Sequence, residues 1–508
     1  MAGSPEGTMQ FTLPQLDFWS IAPVLGITLT GCLVMLVDLL TPRRAGKGHL
    51  AVISLIGLAV TAGLSLFTWG YENRTAFSGM VVADNFTQFF NLLFVFITAV
   101  TVLLSQTQLQ RDDWHAGEFY SLLLFASAGM MLMAGAADLI MVFVGIELLS
   151  ICLYILVGFS RLRLESEEAS IKYLLLGSFA TAFLLFGIAL VYGATGSTNL
   201  GCVAEGIGAS SQFAVDCPRI AAPIGGRTPV LLLAGMGLLI VGLGFKAAVA
   251  PFHMWTPDVY EGAPTAITAY MSVAAKAAAF AAIVRVFMIA FPTLSSDWAG
   301  MLGVIAALTM ILGNTVAIAQ TNIKRMLAYS SIAHAGYILV AVVSASQLGV
   351  QSVLFYTLAY TLMNLGAFAI VILLGRRGEE NELLSDYAGL GFRQPALGFL
   401  MALFMLSLAG IPPTAGFVGK FYIFSAAMQA GQVVLAVVGV LASVISVYFY
   451  IRVIYLMYMV EPAREFGVPE RARWALAAAW VAGIGVLALG LYPLPVLDWA
   501  QASIGFIS

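Results

Sequence analysis

Residues 242–280 read GLGFKAAVAPFHMWTPDVYEGAPTAITAYMSVAAKAAAF, and this stretch decides the fold. It continues an apolar run that ends on Lys246, breaks at Pro251 and Pro257, and resumes as a second apolar run with Lys276 inside it. Pro251 has no N–H to give to the carbonyl near Ala247, so a helix entering the stretch loses a hydrogen bond one residue beyond Lys246. The reading is a discontinuous helix that carries a lysine at the break, followed by a continuous helix that carries another.

The rest of the chain shows that these helices lie in a membrane. Of its 508 residues 61% are hydrophobic and only 10% charged, with a mean hydropathy of +0.96. A soluble domain is about a quarter charged. About fourteen apolar runs long enough to span a bilayer recur from 21–41 to 474–496. They are continuous rather than alternating, which points to helices and not barrel strands. The first lacks a preceding cleavage pattern and reads as a retained helix. The twelfth run (396–412) ends at Pro412-Pro413 and stays apolar beyond it, so a second discontinuous helix is expected there. Paired breaks in corresponding halves are the sequence sign of an inverted-repeat transporter core.

Loop charge predicts the orientation. Alternate loops place Arg43, Arg44, Lys47, Arg111, Arg161, Arg163, Lys324, Arg325, Arg376, Arg377, Arg393, Arg464, Arg471 and Arg473 on one side, and Arg74, Arg219 and Arg227 on the other. By the positive-inside rule the first side is cytoplasmic, and both termini face away from it. The loop from Gly193 to Thr228 then lies outside, where Cys202 and Cys217 are expected to form a disulfide. The competing reading is two free thiols. Cys32 and Cys152, set in apolar runs, read as small buried side chains.

Charge within the runs is the functional clue. Each Lys or Arg at mid-helix costs about 2.5–3.5 kcal/mol, yet Glu147, Lys172, Lys246, Lys276 and Lys420 all lie inside apolar segments. They are expected to line a polar interior. An ammonium in low dielectric is costly alone and is relieved by a neighbouring carboxylate. A Glu147–Lys246 pair that forms and breaks would therefore change proton affinity. Lys172, near a helix start, also fits a side chain reaching to the headgroups. His253 and His334 fit either proton carriers or satisfied structural histidines. Arg452, among tyrosines, reads as an interfacial anchor, and Asp38 and Asp138 as solvated or capping groups.

Soluble chemistry is excluded. GLGFK (242–246) is no dinucleotide fingerprint, since no strand–helix unit or third glycine follows. The chain has no Walker loop, no CxxC cluster and no basic patch for nucleic acid.

Three stretches carry a family resemblance: FKAAVAPFHMWTPDVYEGAPTAITAYMSVAAKAAAF, NIKRMLAYSSIAHAGY and LSLAGIPPTAGFVGKFYIF. They resemble the subunit N family of bacterial complex I, the proton-pumping NADH-quinone oxidoreductase, together with its homologue in the cyanobacterial and plastid enzyme. The resemblance runs from about Phe119 to Tyr458. It implies an all-α, antiporter-like fold of fourteen helices. A three-helix segment (1–118) would precede two inverted five-helix repeats (119–290 and 291–460), and a last helix (461–508) would follow. By the same resemblance Glu147, Lys172, Lys246, Lys276, Lys324, Lys420 and His253 transfer protons. NADH, FMN, iron–sulfur clusters and quinone would sit on other subunits, with none bound here. The resemblance also implies subunits M, K and J and the lipid bilayer as partners, and the inner membrane as location, or the thylakoid in a photosynthetic lineage. Two other readings remain open: a subunit of a multisubunit Na⁺/H⁺ antiporter, and a non-pumping membrane scaffold.

Overall fold

Lipid offers no partner for a backbone N–H or C=O, so every crossing segment must satisfy its own. The computed structural model meets that demand with helices. It describes residues 17–42, 47–70, 74–112, 117–215, 217, 230–375, 381–461 and 472–506. Among these, twelve helices are long and apolar enough to cross a membrane, and two shorter apolar helices are Glu118–Ala134 and Pro395–Ala409. In chain order the fourteen spans begin with Ala22–Leu40, Gly48–Phe67, Asn85–Arg111, Glu118–Ala134, Leu139–Val157 and Leu164–Thr195. The seventh is Val230–Ala247, the eighth Thr265–Ala290, the ninth Ser295–Ile318, the tenth Ile323–Val343 and the eleventh Gln347–Leu374. The twelfth is Pro395–Ala409 continued by Ala415–Gln429, and the last two are Val433–Met459 and Arg473–Leu491. Of the loop charges used for orientation, Arg43, Arg44, Arg219, Arg227, Arg376, Arg377, Arg464 and Arg471 lie outside the described residues.

The eighth, tenth and eleventh spans form the buried centre, while the first, second and sixth present most of one side outward. Close backbone approach holds the layers together, as expected where lipid removes the hydrophobic drive between helices. A Cβ on Gly129 would lie 2.8 Å from the Gly145 carbonyl oxygen, so the fourth and fifth helices meet backbone to backbone. Gly313 and Gly336 join the ninth and tenth helices in the same way.

Both breaks fall at the prolines. After Ala247 the chain turns through Ala248 (φ +60°), and the Ala250 amide donates to Thr309 Oγ1 of the ninth helix at 2.9 Å. The helix resumes as Trp255–Gly262, with Pro257 in its first turn, where a missing N–H costs nothing. In the twelfth span Gly410 (φ +87°) ends the first half. The second half is tied back through the Gly416 amide to Ser407 Oγ at 3.1 Å.

Several features had no sequence signal. The eighth span is wound as π-helix over Met271–Ala275, immediately before Lys276, and again over Val286–Ala290. Such wider turns recur at functional sites. A short hairpin pairs Arg74–Ala76 with Val81–Ala83. The disulfide expected between Cys202 and Cys217, by contrast, is formed on that same face, with Cα atoms 5.3 Å apart. Asn199 fastens the loop to the hairpin by donating to the Gly79 carbonyl at 2.8 Å. Beneath them Arg285 is wholly buried, with Nη2 2.5 Å from Asp84 Oδ1 and Nε 3.0 Å from the Ala134 carbonyl.

Candidate functional site

Four charged groups predicted from sequence lie within the helix bundle, three of them fully enclosed. The break after Ala247 places Lys246 at the end of its half-helix. Its Nζ donates to Ser150 Oγ at 2.7 Å and to the Tyr173 hydroxyl at 3.3 Å, from the fifth and sixth helices. Tyr173 is held by stacking on Trp255, with centroids 4.5 Å apart. Glu147 lies one helical turn before Ser150. Its Oε1 is buried with no hydrogen-bond partner among the described residues. The expected Glu147–Lys246 ion pair is therefore not formed in this structure. The lysine rests instead on the hydroxyl a turn away.

Lys276, released by the π-helical turn, donates to the Ser331 carbonyl and, at 2.5 Å, to Ser331 Oγ of the tenth helix. Its ammonium stands 5.6 Å from the centroid of the Tyr360 ring. Lys420 donates to the Leu408 and Ala409 carbonyls at 3.1 and 3.0 Å, the free ends of the broken twelfth helix, and to Ser443 Oγ at 2.8 Å. Its ammonium also sits 4.8 Å from the centre of the Tyr337 ring. None of the three lysines has a carboxylate partner among the described residues.

Between Lys276 and Lys420 stands His334, a residue that sequence reasoning left evenly divided. Its Nδ1 is 2.6 Å from the Tyr356 hydroxyl and its Nε2 3.0 Å from the Tyr450 hydroxyl, which in turn meets Ser330 Oγ. Tyr360 packs on the imidazole at 5.0 Å between centroids. One turn further along the eleventh helix, Asn364 donates to Ser272 Oγ at 2.5 Å. The available signal was the helical spacing of Tyr356, Tyr360 and Asn364 in an apolar run, which presents three polar groups on one stripe.

The remaining candidates lie elsewhere. Lys172 is half-exposed and bridges Glu168 at 2.7 Å and Asp258 at 3.1 Å. Lys324 is buried and donates to the Glu261 and Ala263 carbonyls at 2.7 and 2.8 Å and to Glu382 at 2.9 Å. Both belong to a charged basin of about 420 Å³ or its floor. His253 sits in the first break beside exposed Met254. Its Nδ1 is buried without a partner among the described residues, and it touches none of the lysines. Arg452 donates to the Ile318 and Gln320 carbonyls at the end of the ninth helix. Asp138 caps the fifth helix, and Asp38 pairs with Lys47 at 2.6 Å.

Enclosed lysines each held by hydroxyls or carbonyls, with a histidine among them and two broken helices beside them, mark an antiporter-like membrane subunit. The family model described as NADH:quinone oxidoreductase/Mrp antiporter, TM, matches residues 136–446. The chain is 47% identical to NADH-quinone oxidoreductase subunit N of Trichlorobacter lovleyi, over 96% of this chain and 97% of that one. It is 46% identical to subunit N 1 of Herpetosiphon aurantiacus, over 97% and 98%. Among solved structures, a chain of respiratory complex I from Thermus thermophilus with bound aureothin superposes with TM-score 0.78 at 37% identity, covering 95% of this chain and all of that one. A chain of the Mrp complex from Dietzia shares the fold at TM-score 0.78 and 21% identity, covering 97% and 98%. The chain belongs to the subunit N family of NADH-quinone oxidoreductases.

Proposed function

We propose that this subunit moves protons along Glu147, Lys246, Lys276, His334 and Lys420, driven by quinone reduction on other subunits of its complex. One observation carries the reading: three lysines wholly inside a membrane protein, each held by hydroxyls or carbonyls in place of a counter-charge. A scaffold has no use for an ammonium that lacks its partner, because the desolvation cost is borne and no ion pair is gained. A relay does. Hydroxyls can both donate and accept, so Ser150, Tyr173, Ser331, Tyr356 and Tyr450 can pass a proton between groups that do not touch.

The axis reaches the outer surface at two places. Glu147 shares a helix face with exposed Val144, Ile151 and Ile155, and Lys420 borders a cleft of about 630 Å³ that opens between exposed Phe421 and Val444. Membrane subunits of the same complex, M and K among them, would cover these faces. The two stretches 119–290 and 291–460, each containing one broken helix, would be the inverted repeats. Lys172 and Lys324 would load protons from the cytoplasmic side, with both termini on the opposite side of the inner membrane. The chain would act as a translocase subunit, leaving NADH, FMN, iron–sulfur clusters and quinone to its partners.

The test is an assembled complex in sealed vesicles carrying Lys246→Ala. Quinone reduction is expected to continue in part while proton translocation per electron collapses. Normal translocation in that variant would overturn the proposal, and a sodium requirement in the unaltered complex would favour the antiporter reading.

A further inference from the structure

The eight-residue helix Trp255–Gly262 adjoins the partners of three lysines of the proposed proton path. Its first residue stacks on Tyr173, which accepts from Lys246. Tyr260, wholly buried, lies against Ser331, which holds Lys276. The Glu261 carbonyl in its last turn and the Ala263 carbonyl just past its end receive Lys324. On its outer side Asp258 is shared, accepting from Lys172 at 3.1 Å through Oδ2 and from Arg325 at 2.9 Å through Oδ1. Glu261 accepts from the same guanidinium at 2.6 Å and from Asn322 Nδ2 at 3.3 Å. Arg163, Glu165, Glu168 and Glu382 complete the rim of the basin.

Two kinds of attachment hold this helix. The Lys324 ammonium beneath it is fully buried, as are Trp255 and Tyr260 on its inner face. The pairs of Asp258 and Glu261 are about one-third exposed and therefore weak, screened by solvent. Gly262 presses on the first turn of the sixth helix, where an added Cβ would meet the Glu165 carbonyl oxygen at 2.3 Å and the Ala169 Cβ at 2.7 Å. The inner face of the helix is thus held firmly, while Ala169, in the basin wall and only 2% exposed, lies beside ion pairs that can part.

We propose that Asp258, Glu261 and Arg325 are positioning residues that form an ion-pair gate over the cytoplasmic mouth of the proton path. When the pairs part, the Glu261 and Arg325 side chains swing aside and basin water reaches Ala169 and the floor beside Lys324. When they close, the path to Lys246 and Lys276 is sealed from that side. The gate rests on the proton-transfer reading above and adds a control point to it.

The experiment uses the assembled complex in inside-out vesicles, with Cys32 and Cys152 replaced by Ser and Ala169→Cys introduced. The probe is a membrane-impermeant methanethiosulfonate. Labelling of the new cysteine is expected to be slow at rest and about tenfold faster during quinone reduction, the size of a modest population shift. It is expected to be fast without turnover in Glu261→Gln, in Arg325→Gln and in the charge-neutral wedge Gly262→Ala. The exchange of Glu261→Arg with Arg325→Glu is expected to restore slow labelling. Equal labelling in the resting and working complex, which needs no gate variant to fold, overturns the gate. So does an exchange that leaves labelling fast in an assembled, active complex. If Lys246→Ala abolishes pumping while labelling never changes, the gate alone fails; if Lys246→Ala pumps normally, the underlying proton reading fails.

Discussion

The two broken helices solve one problem in opposite ways. In the seventh, the lysine precedes the break and turns away from it, to Ser150 and Tyr173 on neighbouring helices. In the twelfth, the lysine follows the break and turns back to the Leu408 and Ala409 carbonyls that the break set free. Their surroundings differ as much. Beside Lys246 is a void of about 10 Å³, space for one water at most. Beside Lys420 lies the open apolar cleft between the twelfth and thirteenth helices. In the proposed reading, rotatable hydroxyls suit the first lysine to proton exchange, whereas fixed carbonyls suit the second partly to a structural staple.

Substitution can break or sharpen this contrast. The largest effect is expected from Lys246→Ala. Proton translocation should fall by about 10²-fold, the scale of a lost acid–base group, with thermal stability nearly kept. Vesicle acidification read beside quinone reduction checks it, and strong destabilisation would count against the exchanger assignment. Next comes Lys420→Ala, which removes the lysine's bond to the Leu408 carbonyl and leaves the Ala409 carbonyl only the long bond from Ser443 Oγ at 3.4 Å. A stability loss of about 2–5 kcal/mol is expected from that, on top of impaired pumping, and thermal unfolding of the purified complex measures it.

Packing gives the third test. A Cβ on Gly242, beside Lys246, would meet Leu184 Cβ at 2.5 Å. Gly242→Ala should therefore cost about 1–3 kcal/mol by overpacking. Val444→Phe, projecting into the open cleft by Lys420, should stay within about 0.5 kcal/mol. Equal costs in the two would mean the sites are equally sealed. The smallest effect compares two hydroxyls. Ser150→Ala removes one of the two hydrogen-bond partners of Lys246 among the described residues and should slow coupled pumping by a factor matching about 1 kcal/mol. Ser443→Ala leaves Lys420 its two carbonyls and should change little.

Much of the fold was legible because lipid imposes a simple rule on sequence. A continuous run of about 20 apolar residues crosses lipid as a helix, and a proline in the interior of such a run kinks or breaks it. Fourteen runs and two breaks, at Pro251 and at Pro412-Pro413, therefore stand in the structure where the residues place them. The candidate site was legible in part for the same reason. Glu147, Lys246, Lys276 and Lys420 stand out because charge in such runs is expensive. His334 reads from sequence equally well as a proton carrier or a structural histidine, and Tyr356 and Tyr450 do not stand out at all, since aromatic and histidine side chains are ordinary in buried helices. Their role comes from the tenth, eleventh and thirteenth helices converging on one imidazole. The π-helical turn before Lys276 was equally silent, as no residue in MSVAA demands it.

The sequence by itself determined that this chain crosses a membrane, where its helices begin and break, and which charges lie inside. Each of those follows from the local cost of polar groups in lipid. Only the tertiary structure decided what the charges touch: that Lys246 rests on Ser150 and not on Glu147, that Lys420 holds the carbonyls of its own broken helix, and that Asp258 is shared by Lys172 and Arg325. The first of those pairings joins residues 96 positions apart. Such contacts are set by how helices pack across the bundle, which no local pattern encodes.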